Sequence, residues 1–345
     1  MLEFKTMTKR KRLLWQLPFL AFLIIGTVMI VRRQNNAEFR NNHGTVFGTT
    51  YNITYQCDAN LDEGIKTVLQ EVDNALSPFN PHSVITAVNE NRKVTLNKMF
   101  TEVFNRAMEV SAVTGGAFDI TVAPLVNHWG FGFKTQQFPD KHDIDSIMQF
   151  VGYEKVRLEN GTIIKDDPRL MLDCSSIAKG YGCDKVAEYL RSKGVENYMV
   201  EIGGEIVIKG NNPRGQAWKI GVNKPVDDSL AVSHDLQAVL NISDCAMATS
   251  GNYRNFYIRN GKRYAHTVDP KTGYPVQHSI LSATVIAPDC TTADAYATAF
   301  MVMGLDRAKA LLDRRSDIMA YLICSGVGNE NTVWCSPRLE RMLDK

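Results

Sequence analysis

Two oxygen-bearing side chains in the segment TTADAYAT, residues 291–298, are spaced for metal binding. Asp294 and Thr298 are four residues apart, so a helix would place both on one face. A carboxylate with a hydroxyl is an oxygen-only pair, which suits Mg²⁺ better than Zn²⁺. A structural alternative is that Asp294 favours the start of the helix through the helix dipole. The spacing therefore leaves two interpretations, a magnesium site and an ordinary helix start.

The segment DCSSIAKG, residues 173–180, combines a carboxylate, hydroxyls and a lysine where a helix is expected to begin. Asp173 ends a short predicted strand, and the helix starts near Ser176. Free backbone N–H groups at such a start can bind phosphate, and Lys179 lies one turn further on, where it could pair with an anion. The segment predicts either an anion site or a capped helix start with a solvated lysine.

The segment TGGAFD, residues 114–119, places two glycines directly after a predicted helix. Gly115 and Gly116 would let the backbone come close to a ligand. Phe118 could then stack on a ring, while Asp119 could bind a polar edge of it. A helix C-terminus followed by a strand explains the same residues without a ligand.

His266 stands at the end of a predicted hairpin, in the segment YAHTVDPKTG of residues 264–273. The residues after it have the composition of a turn. A histidine at a strand end, beside a predicted metal, is a candidate general base. The alternative is a structural histidine that only forms hydrogen bonds.

Several known site motifs are absent from the sequence. It contains no GxGxxG, GxxxxGK[ST], GxSxG or HExxH pattern, so dinucleotide-binding, P-loop, α/β-hydrolase and zincin interpretations lack their usual support. A net charge of +2 and the lack of a basic stripe argue against a nucleic-acid partner. The seven cysteines lack zinc-type spacing, which indicates buried thiols and leaves one disulfide possible.

The body of the chain, residues 44–340, is predicted to be one catalytic unit of α+β class. The composition, 44% hydrophobic and 22% charged, is that of a globular protein. Strands grouped beside helices favour largely antiparallel sheets with flanking helices. The predicted helices cover residues 61–76, 99–113, 143–151, 176–192, 292–303 and 306–314. The predicted strands cover residues 50–56, 169–172, 198–208, 218–222, 236–242, 253–264 and 282–287, and the stretches 198–208 and 253–264 are each predicted to fold back as a hairpin.

The N-terminal residues are predicted to form a membrane anchor and a linker. A basic cytoplasmic segment, residues 1–12, precedes residues 13–31, which carry no charge and would rise about 28 Å as a transmembrane helix. The polar residues 32–43 are predicted to be a linker. A cleaved signal peptide is the alternative, but no small-residue cleavage site follows the apolar run. More basic residues before the run than after it favour a body outside the cytoplasm.

The motifs occur together in an order that resembles the FAD:protein FMN transferases, the ApbE family, formerly labelled thiamine biosynthesis lipoproteins. The resemblance extends from about Phe47 to Gly304. It implies the α+β fold of that family. The motifs that carry it are FGTTY, LSPFNPHS, TGGAFD, DxxSxAKG, VEIGGE, SGNY, HTVDPKTG and ADAYAT.

The resemblance implies roles for individual residues. His266 would take the proton of an incoming threonine or orient that threonine, and Lys179 and Asp294 would be the other catalytic residues. The implied Mg²⁺ ligands are the side chains of Asp294 and Thr298 and the backbone carbonyls of Ser176 and Ala297. The implied FAD contacts are Phe47, Phe79, Ala117, Phe118, Asp119, Asp173, Lys179 and Val268.

Three features depart from the usual pattern of that family. Phe79 stands where the family often has Tyr, and Phe47 where Met is common, so those two contacts depend on packing alone. A hydrophobic helix takes the place of the lipidated N-terminal cysteine. That change concerns the tether and leaves the implied chemistry unchanged.

The implied activity is Mg²⁺-dependent transfer of FMN from FAD to a threonine hydroxyl of an acceptor protein, with release of AMP. The acceptors would be flavoprotein subunits of membrane redox complexes. The enzyme would be held in a bacterial cytoplasmic membrane by its N-terminal helix, with the catalytic domain on the outer, periplasmic side. Two alternatives stay open: an FAD pyrophosphatase that gives FMN and AMP, and a non-catalytic FAD-binding protein.

Overall fold

The computed structural model describes residues 17–27, 37–132, 139–225, 236–252, 256–259, 262–326 and 331–344. Residues 17–27 form a helix, α1. Within these ranges no helix has both the length and the apolar character that a membrane crossing requires. The predicted span of residues 13–31 extends beyond α1 at both ends, into residues outside those ranges.

The described strands form one large antiparallel sheet and three two-stranded ribbons. The large sheet has eight strands in the order β1-β2-β5-β6-β9-β12-β13-β14, and each neighbouring pair is antiparallel. The ribbons are β3-β4, β7-β8 and β10-β11. This confirms the predicted antiparallel α+β architecture. The strands are β1 Phe39–Val46, β2 Thr49–Gln56, β3 Val156–Glu159, β4 Thr162–Lys165, β5 Tyr198–Ile202, β6 Glu205–Lys209, β7 Trp218–Asn223, β8 Leu236–Ile242, β9 Cys245–Gly251, β10 Phe256–Arg259, β11 Lys262–Ala265, β12 Ile280–Ala287, β13 Met319–Ser325 and β14 Asn331–Cys335.

The helices pack against the large sheet and against each other. Helix α8 lies on β9 and β12, and α7 lies between α2 and α8. Twelve of the fourteen residues of α8 are buried, as expected for a helix that is apolar on nearly all sides. The helices after α1 are α2 Asp62–Leu76, α3 Val84–Asn89, α4 Lys98–Val113, α5 Ala123–His128, α6 Lys141–Met148, α7 Ala178–Ser192, α8 Cys290–Met303 and α9 Leu305–Leu312.

Three predicted elements differ from the structure. Residues 39–43, predicted as linker, belong to β1, whose polar sequence FRNNHGTV hides its strand character because the strand lies at the edge of the sheet. The strand predicted at 169–172 is an isolated bridge between Val122 and Met171. The helix predicted at 143–151 is α6, which begins earlier because Asp140 caps it.

Other elements were missed or fall partly outside the described residues. The short α3 and α5 and the strands β3, β4, β9, β13 and β14 have no counterpart among the predicted elements. The hairpin predicted at 253–264 is present as β10 and β11, while residues 253–255 and its turn at 260–261 lie outside the described residues. All seven cysteines are free thiols.

Candidate active site

A cavity of about 460 Å³ opens where α7, α8, the β5–β6 turn and the segment after β11 meet. Eleven of the predicted site residues line it, although they come from five separate segments of the chain. The fold therefore brings together nearly all the residues singled out by motif. Those that line the cavity are Phe79, Ala117, Phe118, Asp119, Asp173, Ser176, Lys179, His266, Val268, Asp294 and Thr298.

The predicted metal-binding pair lies on the cavity side of α8. Asp294 is 2% exposed, and its Oδ2 accepts the backbone N–H of Gly180 at 3.0 Å. The hydroxyls of Thr298 and Ser250 share a hydrogen bond of 3.1 Å. Ala297, on the same helix, is fully buried and is not part of the cavity wall, so its predicted carbonyl ligand stays a prediction.

Lys179 reaches the same cavity from the first turn of α7. Its Nζ lies 2.8 Å from Oε1 of Glu205, the first residue of β6. Burial lowers the pKa of Lys179, but the charges of Asp294 and Glu205 outweigh burial and raise it above the ordinary value. Lys179 therefore stays protonated and carries a positive charge into the cavity wall.

The two carboxylates near Lys179, those of Glu205 and Asp294, are buried, which makes their negative charge unfavourable. Burial raises the pKa of Glu205, and the charge of the adjacent Lys179 lowers it. Burial also raises the pKa of Asp294, against the lowering effects of Lys179 and of the Gly180 N–H. One lysine cannot neutralise two ionised buried carboxylates, so a proton on one of them or a bound cation completes the charge balance. Asp294, Thr298 and Ser176 all line the cavity and offer oxygen atoms, the ligand type that Mg²⁺ prefers.

Asp119 and Asp173 are tied to their own backbone segments. The carboxylate of Asp119 accepts the Thr121 N–H and hydroxyl through Oδ1 and the Tyr153 N–H through Oδ2, all at 2.7 to 2.8 Å. Burial raises its pKa, while the Thr121 bonds lower it. Asp173 accepts the Ser175 N–H at 2.8 Å. Both residues shape the cavity wall, and their predicted FAD contacts stay predictions.

His266 follows β11 and lies among aromatic rings. Its ring is edge-on to Phe131, with 6.4 Å between centroids. Phe131 stacks on Tyr257 at 5.1 Å, and Tyr257 stacks on Tyr264 at 5.4 Å. Phe131 and His266 both line the cavity. The aromatic stack holds the hairpin, and with it His266, against the site.

Phe47 and Phe79 line a second cavity of about 420 Å³ beside the first. Phe79 and Lys179 belong to the walls of both. Phe79 is 71% exposed, an unusual position for a large apolar ring, and it stands between the two cavities. Phe47 therefore lines the second cavity only, and its predicted FAD contact stays a prediction.

Sequence reasoning missed several residues of the site. Glu205, Ser250 and Phe131 line the cavity but were assigned no role. Two of them belong to motifs that were noticed, VEIGGE and SGNY, and only the third has no sequence signal. The motifs VEIGGE and SGNY, to which no role had been assigned, were therefore the signal that could have identified Glu205 and Ser250.

Known proteins share this sequence pattern and fold. Residues 47–323 match the ApbE family. The FAD:protein FMN transferase of Vibrio cholerae is 40% identical over 301 residues, which cover 84% of this chain and 89% of that protein. The enzyme of the same name from Haemophilus influenzae is 38% identical over 297 residues, covering 81% of this chain and 85% of that protein. The solved structure of the flavin transferase ApbE from Vibrio cholerae has a TM-score of 0.80 at 36% identity, over 89% of this chain and 100% of that one.

The antiparallel fold is shared with the flavin transferase ApbE, and the relatives of this chain are transferase enzymes, as this chain is. The resemblance inferred from the motifs is confirmed. The chain belongs to the ApbE family.

Proposed function

We propose that this protein transfers FMN from FAD to a threonine hydroxyl of an acceptor protein, with Mg²⁺ as cofactor and AMP as the second product. The observation that carries the proposal is the convergence of Asp294, Thr298 and Lys179 on one cavity. An oxygen pair for a divalent cation next to a charged lysine suits a diphosphate. The names of the relatives, FAD:protein FMN transferase, support FAD as the diphosphate substrate.

Asp294, Thr298 and Ser176 would hold the Mg²⁺, which when bound neutralises charge on the phosphates. Lys179 binds the diphosphate as a second positive charge. The threonine oxygen forms a bond to the FMN-side phosphorus, and the P–O–P bond breaks with the bridging oxygen leaving on AMP. Charge neutralisation and the alignment of nucleophile with leaving group are most of what phosphoryl transfer requires.

His266 takes the threonine proton in this proposal. It lines the cavity and is held by the aromatic residues next to it. His266→Ala is expected to slow transfer by about 100-fold or more, the usual contribution of a general base. The measurement is the initial rate of AMP release, with His82→Ala, an exposed histidine, as the control. A His266→Ala rate equal to that of the wild type would remove the general-base role.

The same site could serve hydrolysis if water replaced threonine. Chromatography of the products from FAD and Mg²⁺, with and without an acceptor protein, separates the possibilities. Transfer predicts AMP without free FMN, and only when the acceptor is present. Free FMN and AMP without acceptor would indicate a pyrophosphatase, and intact FAD in both reactions would indicate a binding protein.

We further propose the flavoprotein subunits of membrane redox complexes as acceptors and the outer face of a bacterial cytoplasmic membrane as the location. The uncharged run of residues 13–31 with its preceding basic cluster supports the second of these. Fractionation of cells that express the full chain, followed by protease treatment of spheroplasts, tests it. A body that resists protease in spheroplasts and is digested only after lysis would contradict this location.

A further inference from the structure

The turn between β5 and β6 carries the sequence IGGE, residues 202–205, and has no role in the function proposed above. We propose that this turn positions the side chain of Lys179, and that Glu205 holds the lysine ammonium where the reaction requires it. The inference rests on the proposed function, because it assigns to Lys179 the diphosphate of FAD.

Glu205 fixes the charged end of the lysine. The two side chains meet at 2.8 Å, where Glu205 is 3% exposed and Lys179 is 29% exposed. The other carboxylate oxygen, Oε2, is buried and has no hydrogen-bond partner among the described residues. The contact with Lys179 therefore dominates the surroundings of this carboxylate. A buried ion pair of this kind fixes geometry more reliably than it adds stability.

Gly203 leaves room for the stem of the lysine. Its φ of +62° is in the left-handed region, and a Cβ there would lie 3.3 Å from Cδ of Lys179 and 2.8 Å from Cγ2 of Thr49. A side chain at this position would push the lysine stem away from the turn. Gly203 thus permits both the tight turn and the close approach of Lys179.

The expected consequence is an effect on turnover rather than on ground-state binding. Lysine is a compact charge on a flexible stem, with about 2 kcal/mol of rotamer entropy. Without Glu205 its charge would remain in the cavity, but its position would vary. Displacement by about 1 Å can cost about 100-fold in rate. The removal of a negative charge next to an anion site does not weaken binding of the anion.

The test compares Glu205→Gln with the matched control Glu196→Gln. Glu196 also pairs with a lysine, Lys209 at the far end of β6, at 2.7 Å, but Glu196 is exposed and this pair does not line the cavity. For Glu205→Gln we expect kcat for AMP release to fall about tenfold or more, with an FAD dissociation constant no higher than that of the wild type. The control is expected to match the wild type in both. Dissociation constants are measured by flavin fluorescence without metal, and folding is checked by thermal unfolding.

A second pair of variants applies if Glu205→Gln alone does not fold, because in the Lys179→Met background the substitution leaves no unpaired charge of this pair in the core. In the Lys179→Met background, Glu205→Gln is expected to change kcat by less than about twofold, because the group it positions is gone. A further tenfold loss there, on the order expected for independent roles, would contradict the inference.

Two other outcomes would also contradict it. One is a folded Glu205→Gln enzyme with wild-type kcat, and the other is weakened FAD binding with unchanged kcat. In both cases the proposed function would survive, since the wild type would still bind and convert FAD. Failure of the wild type to bind FAD would instead overturn the proposed function, and this inference with it.

Discussion

The buried carboxylates Asp119, Asp294 and Glu205 differ in the partners that stabilise their negative charge. Asp119 has three hydrogen-bond donors on its two oxygens, which is the pattern of a structural carboxylate. Asp294 and Glu205 instead compete for one lysine inside a core, and burial raises the pKa of both. Stability alone would not favour that arrangement. Such a local conflict in a core helix is what a functional site is expected to show.

The Asp294→Asn variant separates function from stability. We expect it to lose metal-dependent AMP release by about 100-fold or more, because it removes the charged ligand for the cation. We expect its stability to change by no more than about 1 kcal/mol, because asparagine can still accept the Gly180 N–H and Lys179 keeps Glu205.

AMP release and thermal unfolding of Asp294→Asn are measured side by side. Asp306→Asn, an exposed acid in the first turn of α9, is the control. Full activity of Asp294→Asn would contradict the metal assignment.

At the scale of elements, the site depends on how α7 and α8 meet. A Cβ on Gly180 of α7 would lie 2.3 Å from the backbone oxygen of Cys290 on α8, so only glycine allows this approach. Asp184, one turn further along α7, accepts the N–H groups of Cys290 and Thr291 and the Thr291 hydroxyl at the start of α8. These contacts set the distance between Lys179 and Asp294.

Asp184 predicts a pH dependence of stability. Burial raises its pKa to about 6, despite the bonds from Thr291 and Cys290. Because the folded pKa exceeds the unfolded one, the folded state binds the proton more tightly, and the resulting stabilisation is lost as pH rises through about 6. Relative to Asp184→Asn, the wild type is expected to lose about 1 kcal/mol between about pH 5 and about pH 7.5.

Urea unfolding of both proteins at the two pH values measures the difference. The comparison between variants removes the contribution of other titrating groups. A difference that is constant with pH, or that changes with the opposite sign, would contradict this account of Asp184.

Elements with a clear periodicity could be predicted from the sequence, whereas the candidate site residues were named from the motifs. Helices α2, α4, α7 and α8 are amphipathic or bounded by glycine, and their predicted ranges agree with the structure to within two residues. The pairing of Lys179 with Glu205 could not be predicted, because it depends on the sheet placing β6 beside α7. The short ribbon β3-β4 has four-residue strands, too short for alternation to be detected.

At the scale of the whole molecule, the helices pack on the eight-stranded sheet, and β1 is one of the two edge strands of that sheet. β1 pairs with β2 along eight residues, from Phe39 opposite Gln56 to Val46 opposite Thr49. Phe39 packs against Trp218 at 6.5 Å, and Arg40 donates to the carbonyls of Cys57 and Asp58. The large sheet therefore includes residues 39–43, which the sequence analysis assigned to the linker.

Two truncated proteins test that boundary. Residues 37–345 keep β1 complete, whereas residues 44–345 lose five of its eight residues. We expect the shorter protein to unfold about 3 °C lower or more, since a loss of about 2 kcal/mol shifts Tm by about 3 °C in a protein of this size. Thermal unfolding by circular dichroism measures both. Equal midpoints would mean that the first part of β1 is dispensable to the fold.

The central claim is that this enzyme joins FMN to an acceptor protein. The most direct measurement incubates residues 37–345 with FAD, Mg²⁺ and a flavoprotein subunit of a membrane redox complex, then records the intact mass of that subunit. We predict a mass gain of one FMN that is absent without Mg²⁺, absent with Asp294→Asn, and absent when the acceptor threonine is replaced by alanine. Conversion of FAD to free FMN and AMP with no gain on the acceptor, or FAD that stays intact, would contradict the claim.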